Sequence, residues 1–119
     1  MNNFFKGFTY ASKGIVYAFS TQINFKFHTF SAILVLAMGL FFDLNLVEWL
    51  WITTAIGLVI VAEIFNTALE VLVDLVSPGQ HPKAGIIKDL SSAAVLITAI
   101  LAGIIGLCIF LPKFISYAS

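Results

Sequence analysis

The chain contains no arginine, and its six lysines are matched by six acids, so charged residues fill only 10% of its 119 positions. A soluble domain typically carries charge on about a quarter of its residues. So sparse a charged coat leaves lipid as the solvent for much of the surface. A formal net charge of zero also excludes the basic field that a nucleic-acid partner requires. The single cysteine, Cys108, lies in an apolar run; it offers no disulfide or redox motif and reads as small apolar filler. The amino end, Met-Asn-Asn-Phe-Phe-Lys, is not followed by an apolar core and a small-residue cleavage site, so no cleavable signal peptide is expected.

What the chain has instead is hydrophobicity, at 61% of residues, with a mean hydropathy of +1.05. The length suits one domain, residues 1–119. Residues 2–20 mix phenylalanines with Lys6, Lys13 and hydroxyls, too polar to span a bilayer but suited to an amphipathic helix on its surface. Three spans are expected at about 25–42, 47–76 and 90–112. Trp49 and Trp51 mark an interface, where indoles prefer to sit. Ser77-Pro78-Gly79-Gln80-His81-Pro82 breaks the second span from the third. Small residues at Ala99 and Gly103, and at Ala102 and Gly106, give the third span faces for close packing. The fold class is therefore an all-α membrane protein with three transmembrane helices and an N-terminal surface helix. Lys6, Lys13, Lys26, Lys83 and Lys88 flank one side of the membrane and Lys113 the other, which puts the amino end and the 76–89 loop in the cytoplasm.

The second span carries carboxylates. At ~100° per residue, Glu63, Glu70 and Asp74 share one helix face to within about 20°, and Asn66 lies about 60° to one side. Counting from Asp74 at the cytoplasmic boundary, Glu70 is ~6 Å deeper and Glu63 ~16 Å deeper. A charge at mid-membrane costs roughly 2.5–3.5 kcal/mol. The acidic face must therefore meet another helix, a cation or a wet cavity. No basic residue is expected at the depth of Glu63, which favours a functional site over simple neutralisation. Acids near a cytoplasmic opening can hold Mg²⁺, which takes oxygen ligands and keeps several waters. A deeper carboxylate can accept a proton from an alcohol in the bilayer, and Lys88 can meet phosphate oxygens. That is a phosphoryl-transfer layout without a G-x-x-x-x-G-K-[ST] loop or a kinase-type glycine-rich loop. A cation channel or proton-coupled carrier would use the same stripe without needing Lys88-Asp89. A non-catalytic assembly partner is a third reading.

The stretch Ala62-Glu63-Ile64-Phe65-Asn66-Thr67-Ala68-Leu69-Glu70-Val71-Leu72-Val73-Asp74, followed by His81, Gly85, Lys88-Asp89 and Ser92-Ala93-Ala94-Val95-Leu96, resembles the prokaryotic diacylglycerol kinase family, which includes the undecaprenol kinases. Lys6, Tyr10, Lys13-Gly14 and Asn24-Phe25-Lys26 extend the similarity across nearly the whole chain. The resemblance implies a homotrimer with sites shared between subunits, and Mg²⁺-dependent transfer of the ATP γ-phosphate to a lipid hydroxyl. It implies that Glu63 is the general base, with Asn66 supporting the same centre, and that Glu70 is a metal ligand. Lys88 would contact nucleotide phosphates. Asp89, Gly85 and His81 would line the nucleotide pocket, Asp74 its rim, and Tyr10, Lys6 and Lys13 would help close it. Where the family carries a metal-binding glutamate before the first span, this chain has Gln22, and no acid occurs in the first 42 residues. A neutral amide oxygen pulls less strongly on Mg²⁺, so a raised Mg²⁺ requirement is expected. The Val-Asp-Leu-Val-Ser-Pro segment and His81-Pro82 look more like the undecaprenol kinase branch.

Overall fold

The computed structural model describes residues 2–119, which form four helices: α1 (Asn3–Thr21), α2 (Ile23–Phe41), α3 (Leu46–Val76) and α4 (Pro82–Ala118). α2, α3 and α4 are each long and apolar enough to cross a membrane. The chain is an all-helical membrane protein.

Local chemistry sets each boundary. Asn2 caps α1 by accepting from the Phe4 amide at 2.9 Å. A single extended residue, Gln22, separates α1 from α2. Between α2 and α3 the chain reverses through Asp43, whose φ of 53° is a left-handed conformation that a short polar side chain tolerates. Asn45 and Glu48 then form a reciprocal cap: the Glu48 amide donates to Asn45 Oδ1 at 2.9 Å, and the Asn45 amide to Glu48 Oε1 at 3.1 Å. α3 stops at Val76, ahead of Pro78 and Gly79. His81 caps α4, its Nδ1 accepting from the Lys83 amide at 3.1 Å, and Pro82 takes the first helical turn, where a missing N–H costs nothing.

α4 is longer than the span it contains. Its 37 residues extend roughly 55 Å, against a hydrocarbon layer of ~30 Å. The helix therefore carries Lys83, Lys88 and Asp89 as part of its own first turns rather than in a loop.

α3 and α4 make the most extensive helix pairing, and α2 packs on α3. The apolar core sits at the turn between α2 and α3, where buried Leu44, Ile52 and Phe110 are surrounded by Val35, Met38, Phe42, Trp49 and their neighbours. Elsewhere many large apolar side chains face outward, as Leu58, Phe65 and Leu72 do on α3 and Ile97, Ile104 and Leu111 on α4. Such surface needs lipid or another protein over it.

Candidate active site

The α3 face is arranged in three levels. At the deepest, Glu63 is only 1% exposed. His28, on α2, brings Nε2 to 3.2 Å from Glu63 Oε1, within ion-pair reach but not aligned as a hydrogen bond, and among the described residues this buried oxygen has no hydrogen-bond partner. The expectation that no basic residue stands at this depth is therefore corrected: an imidazole from the first span does. Thr67 is buried beside it, its hydroxyl donating to the Glu63 carbonyl at 2.9 Å.

One turn toward the 77–81 loop is the second level. Asn66 is buried and donates through Nδ2 to Glu70 Oε1 at 3.3 Å, while buried Ser91, on α4, donates to Asn66 Oδ1 at 2.5 Å. The carboxylate fixes which way the amide faces: Glu70 accepts from Nδ2, which leaves Oδ1 to accept from the Ser91 hydroxyl on α4. α4 thus orients a carboxylate on α3 through one intervening side chain.

At the third level Lys88 Nζ donates to Asp74 Oδ1 at 2.8 Å. An open pocket of about 700 Å³ lies here, and its lining includes Asp74, His81, Gly85 and Lys88. Four residues assigned from sequence to one binding pocket are therefore brought together. Asp89 is exposed and outside that lining. Lys6, Tyr10 and Lys13 are exposed on α1, with Lys13 Nζ 5.9 Å from the centre of the Tyr10 ring, and none of the three lines the pocket. Gln22 is half-buried at the α1–α2 corner, and its side chain does not cap α2.

A second opening, an apolar groove of about 560 Å³, runs between α2, α3 and α4 from Phe27 and His28 to Phe110 and Phe114. Ala99, Ala102, Gly103 and Gly106, which read from sequence as packing faces, line this groove.

Sequence reasoning missed His28, Thr67 and Ser91. A signal existed for the first: an ionisable residue in an otherwise uncharged span marks a functional position by default. For the two hydroxyl residues there was none, because serine and threonine commonly bond back to their own helix, as Ser31 and Thr54 do.

A buried carboxylate facing a basic side chain, an ordered amide–carboxylate pair and a lysine-rimmed pocket define a helical membrane protein with a polar centre between its spans. Residues 9–110 match the family model for prokaryotic diacylglycerol kinase, and the chain belongs to that family. It is similar to the undecaprenol kinase of Bacillus subtilis (strain 168), 42% identical over 113 residues that cover 95% of this chain and 92% of the relative. A diacylglycerol kinase of Synechocystis is 40% identical over 115 residues, covering 96% of this chain and 66% of that one. The diacylglycerol kinase of Escherichia coli (strain K12) is 31% identical over 102 residues, 86% of this chain and 83% of its own.

Proposed function

We propose that this membrane lipid kinase transfers the γ-phosphate of ATP to the hydroxyl of a lipid alcohol, with undecaprenol preferred over diacylglycerol. The observation that carries the reading is the continuous polar path from Glu63 to the lysine-rimmed pocket. On α4, Ser91 stands one short step of about 4.5 Å beyond Lys88; on α3, Asn66 stands about 4.5 Å from Glu63. The Ser91–Asn66 hydrogen bond joins the two steps. A phosphate chain entering at Lys88 thus has a short descent to a hydroxyl beside Glu63.

The lipid O–H bond breaks as its proton passes to the Glu63 carboxylate. The lipid oxygen bonds to the γ-phosphorus, the bond to the bridging oxygen breaks, and ADP leaves. Carboxylate bases of this kind contribute roughly 10²–10⁴-fold to rate. Lys88, held at the pocket rim by Asp74, meets phosphate oxygens, and His81, Gly85 and Asp89 lie along the nucleotide's approach. Tyr10, Lys6 and Lys13 on an amphipathic α1 close over it. Ser91 and Asn66 keep Glu70 aimed.

Among the described residues there is no group of three or more His, Cys, Asp or Glu able to hold a metal. That donor set still fits Mg²⁺, which is commonly held by one or two carboxylates together with substrate phosphates and water. Glu70 and the amide of Gln22, which does not cap α2, are the residues that would hold it; when bound, it would neutralise charge on the phosphates. With only one carboxylate in that set, Gln22→Glu lowers the Mg²⁺ concentration for half-maximal activity; an unchanged Mg²⁺ titration removes residue 22 from the metal's surroundings.

The exposed apolar faces of α3 and α4 support assembly as a homotrimer in the cytoplasmic membrane, with the amino end and the 77–81 loop on the cytoplasmic side. The preference for undecaprenol is supported by the similarity to the Bacillus subtilis undecaprenol kinase across 92% of its length. The test is purified protein with radiolabelled ATP and each lipid in parallel. Label on undecaprenol at the higher kcat/KM is expected, label on diacylglycerol alone overturns the preference, and label on neither overturns the reaction.

A further inference from the structure

The transfer proposed above has no role for His28, yet this side chain meets both the Glu63 carboxylate and the apolar groove. Its ring is 19% exposed and its Nε2 lies 3.2 Å from Glu63 Oε1. On the groove side, His28 and Ser31 are the polar side chains in an otherwise aliphatic and aromatic lining. Ser31 is committed, its hydroxyl donating to the Phe27 carbonyl at 2.9 Å. His28 is therefore the polar group with free capacity at the end of the groove nearest Glu63, and a lipid tail lying in that groove brings its hydroxyl past the imidazole to the carboxylate.

Glu63 needs such a partner. A carboxylate that is 1% exposed is confined by packing, but among the described residues no hydrogen bond to Oε1 aims it. A general base must come within about 2.6–3.2 Å of the proton it takes, and its supporting hydrogen bonds are often long or misaligned until substrate is bound. The 3.2 Å separation without alignment fits such a resting state.

We propose that His28 is the positioning residue of Glu63. With a lipid alcohol in the groove, its Nε2–H donates to Glu63 Oε1 and turns Oε2 toward the lipid hydroxyl. The inference rests on Glu63 acting as the base. A misplacement of about 1 Å in such a centre costs up to about 10²-fold in rate, which sets the size of the effect.

Methionine and glutamine have similar volume and flexibility, but only glutamine carries a donor that can reach the position of Nε2. Steady-state kinetics of the full chain, with ATP and undecaprenol, are compared for His28→Met, His28→Gln, Glu63→Gln and His28→Met/Glu63→Gln. The expected results are a kcat lowered on the order of 10²-fold in His28→Met with the KM for ATP unchanged, most of that loss regained in His28→Gln, and a double variant no slower than Glu63→Gln alone, as residues acting as a unit require. Full kcat in His28→Met beside an inactive Glu63→Gln overturns the role of His28 while leaving the base in place. So does His28→Gln no faster than His28→Met when both fold. An active Glu63→Gln removes the base itself, and the inference with it.

Discussion

The two ends of the α3–α4 pair are built on opposite principles. At the turn end, burial is apolar: Leu44, Ile52 and Phe110 fill the core, and Gly39 lets the Trp49 ring lie directly on the α2 backbone. The polar groups there are used twice over, with Glu48 accepting from the Asn45 amide through one oxygen and pairing with Lys113 through the other. At the loop end, the buried side chains include Glu63, Asn66, Thr67 and Ser91, and among the described residues Glu63 Oε1 has no hydrogen bond. One end of the bundle is arranged for stability. The other keeps buried polar groups at a cost in stability, which is what a preorganised reaction centre requires.

The sharpest way to break this contrast is to remove the charge at the loop end while keeping its shape. Glu63→Gln is expected to lower turnover on the order of 10²–10⁴-fold, while the unfolding midpoint in detergent stays equal or rises, because an incompletely partnered buried charge has been deleted. A fall in stability together with intact turnover would make Glu63 a structural residue and erase the difference between the ends.

The complementary change belongs at the turn end. A Cβ added at Gly39 would stand 2.5 Å from Trp49 Cη2, 3.0 Å from Cζ3 and 3.1 Å from Leu44 Cδ1. The indole and Leu44 must both shift, and overpacking of this kind costs typically about 1–3 kcal/mol. Gly39→Ala therefore lowers the unfolding midpoint measured by denaturant titration, with kcat per folded molecule unchanged. A loss of kcat at unchanged stability would show that the two ends are coupled through α3.

How much of this the sequence disclosed depends on which physical signal each element leaves. Three spans were legible because lipid demands long apolar runs. The break before α4 was legible because Pro78 and Pro82 fix φ and Gly79 is too free to favour a helix, whatever surrounds them. The onset of α4 helicity at Pro82, ahead of Leu90, was not, because hydropathy reports the solvent around a helix rather than the helix itself. The stripe of Glu63, Glu70 and Asp74 follows from helical periodicity, which fixes a face but not its partner. Which α2 residue meets Glu63 depends on how the two helices cross, so His28 stood out as an ionisable residue in an apolar span but its pairing with Glu63 was hidden. Ser91 was hidden for the same reason, and spacing along α1 says nothing about where that helix rests against α3.

The smallest expected effect separates two ion pairs of the same chemistry. Lys113 Nζ lies 3.1 Å from Glu48 Oε2, with the side chains 26% and 23% exposed; Lys88 Nζ lies 2.8 Å from Asp74 Oδ1, with the side chains 43% and 67% exposed. Solvent screening and side-chain entropy leave exposed pairs little net stability. Even the better-shielded Lys113 pair gains little more, because Glu48 keeps its bond to the Asn45 amide when the lysine is lost. Lys113→Met should shift the unfolding midpoint slightly downward and leave the KM for ATP untouched. Lys88→Met should do the reverse, with no measurable change in midpoint and a raised KM for ATP. The shorter bridge is thus expected to matter less for folding than the longer one, since the role proposed for its ammonium is to leave Asp74 for a phosphate. Equal stability losses in the two variants would make both bridges structural and deny the loop end its separate purpose.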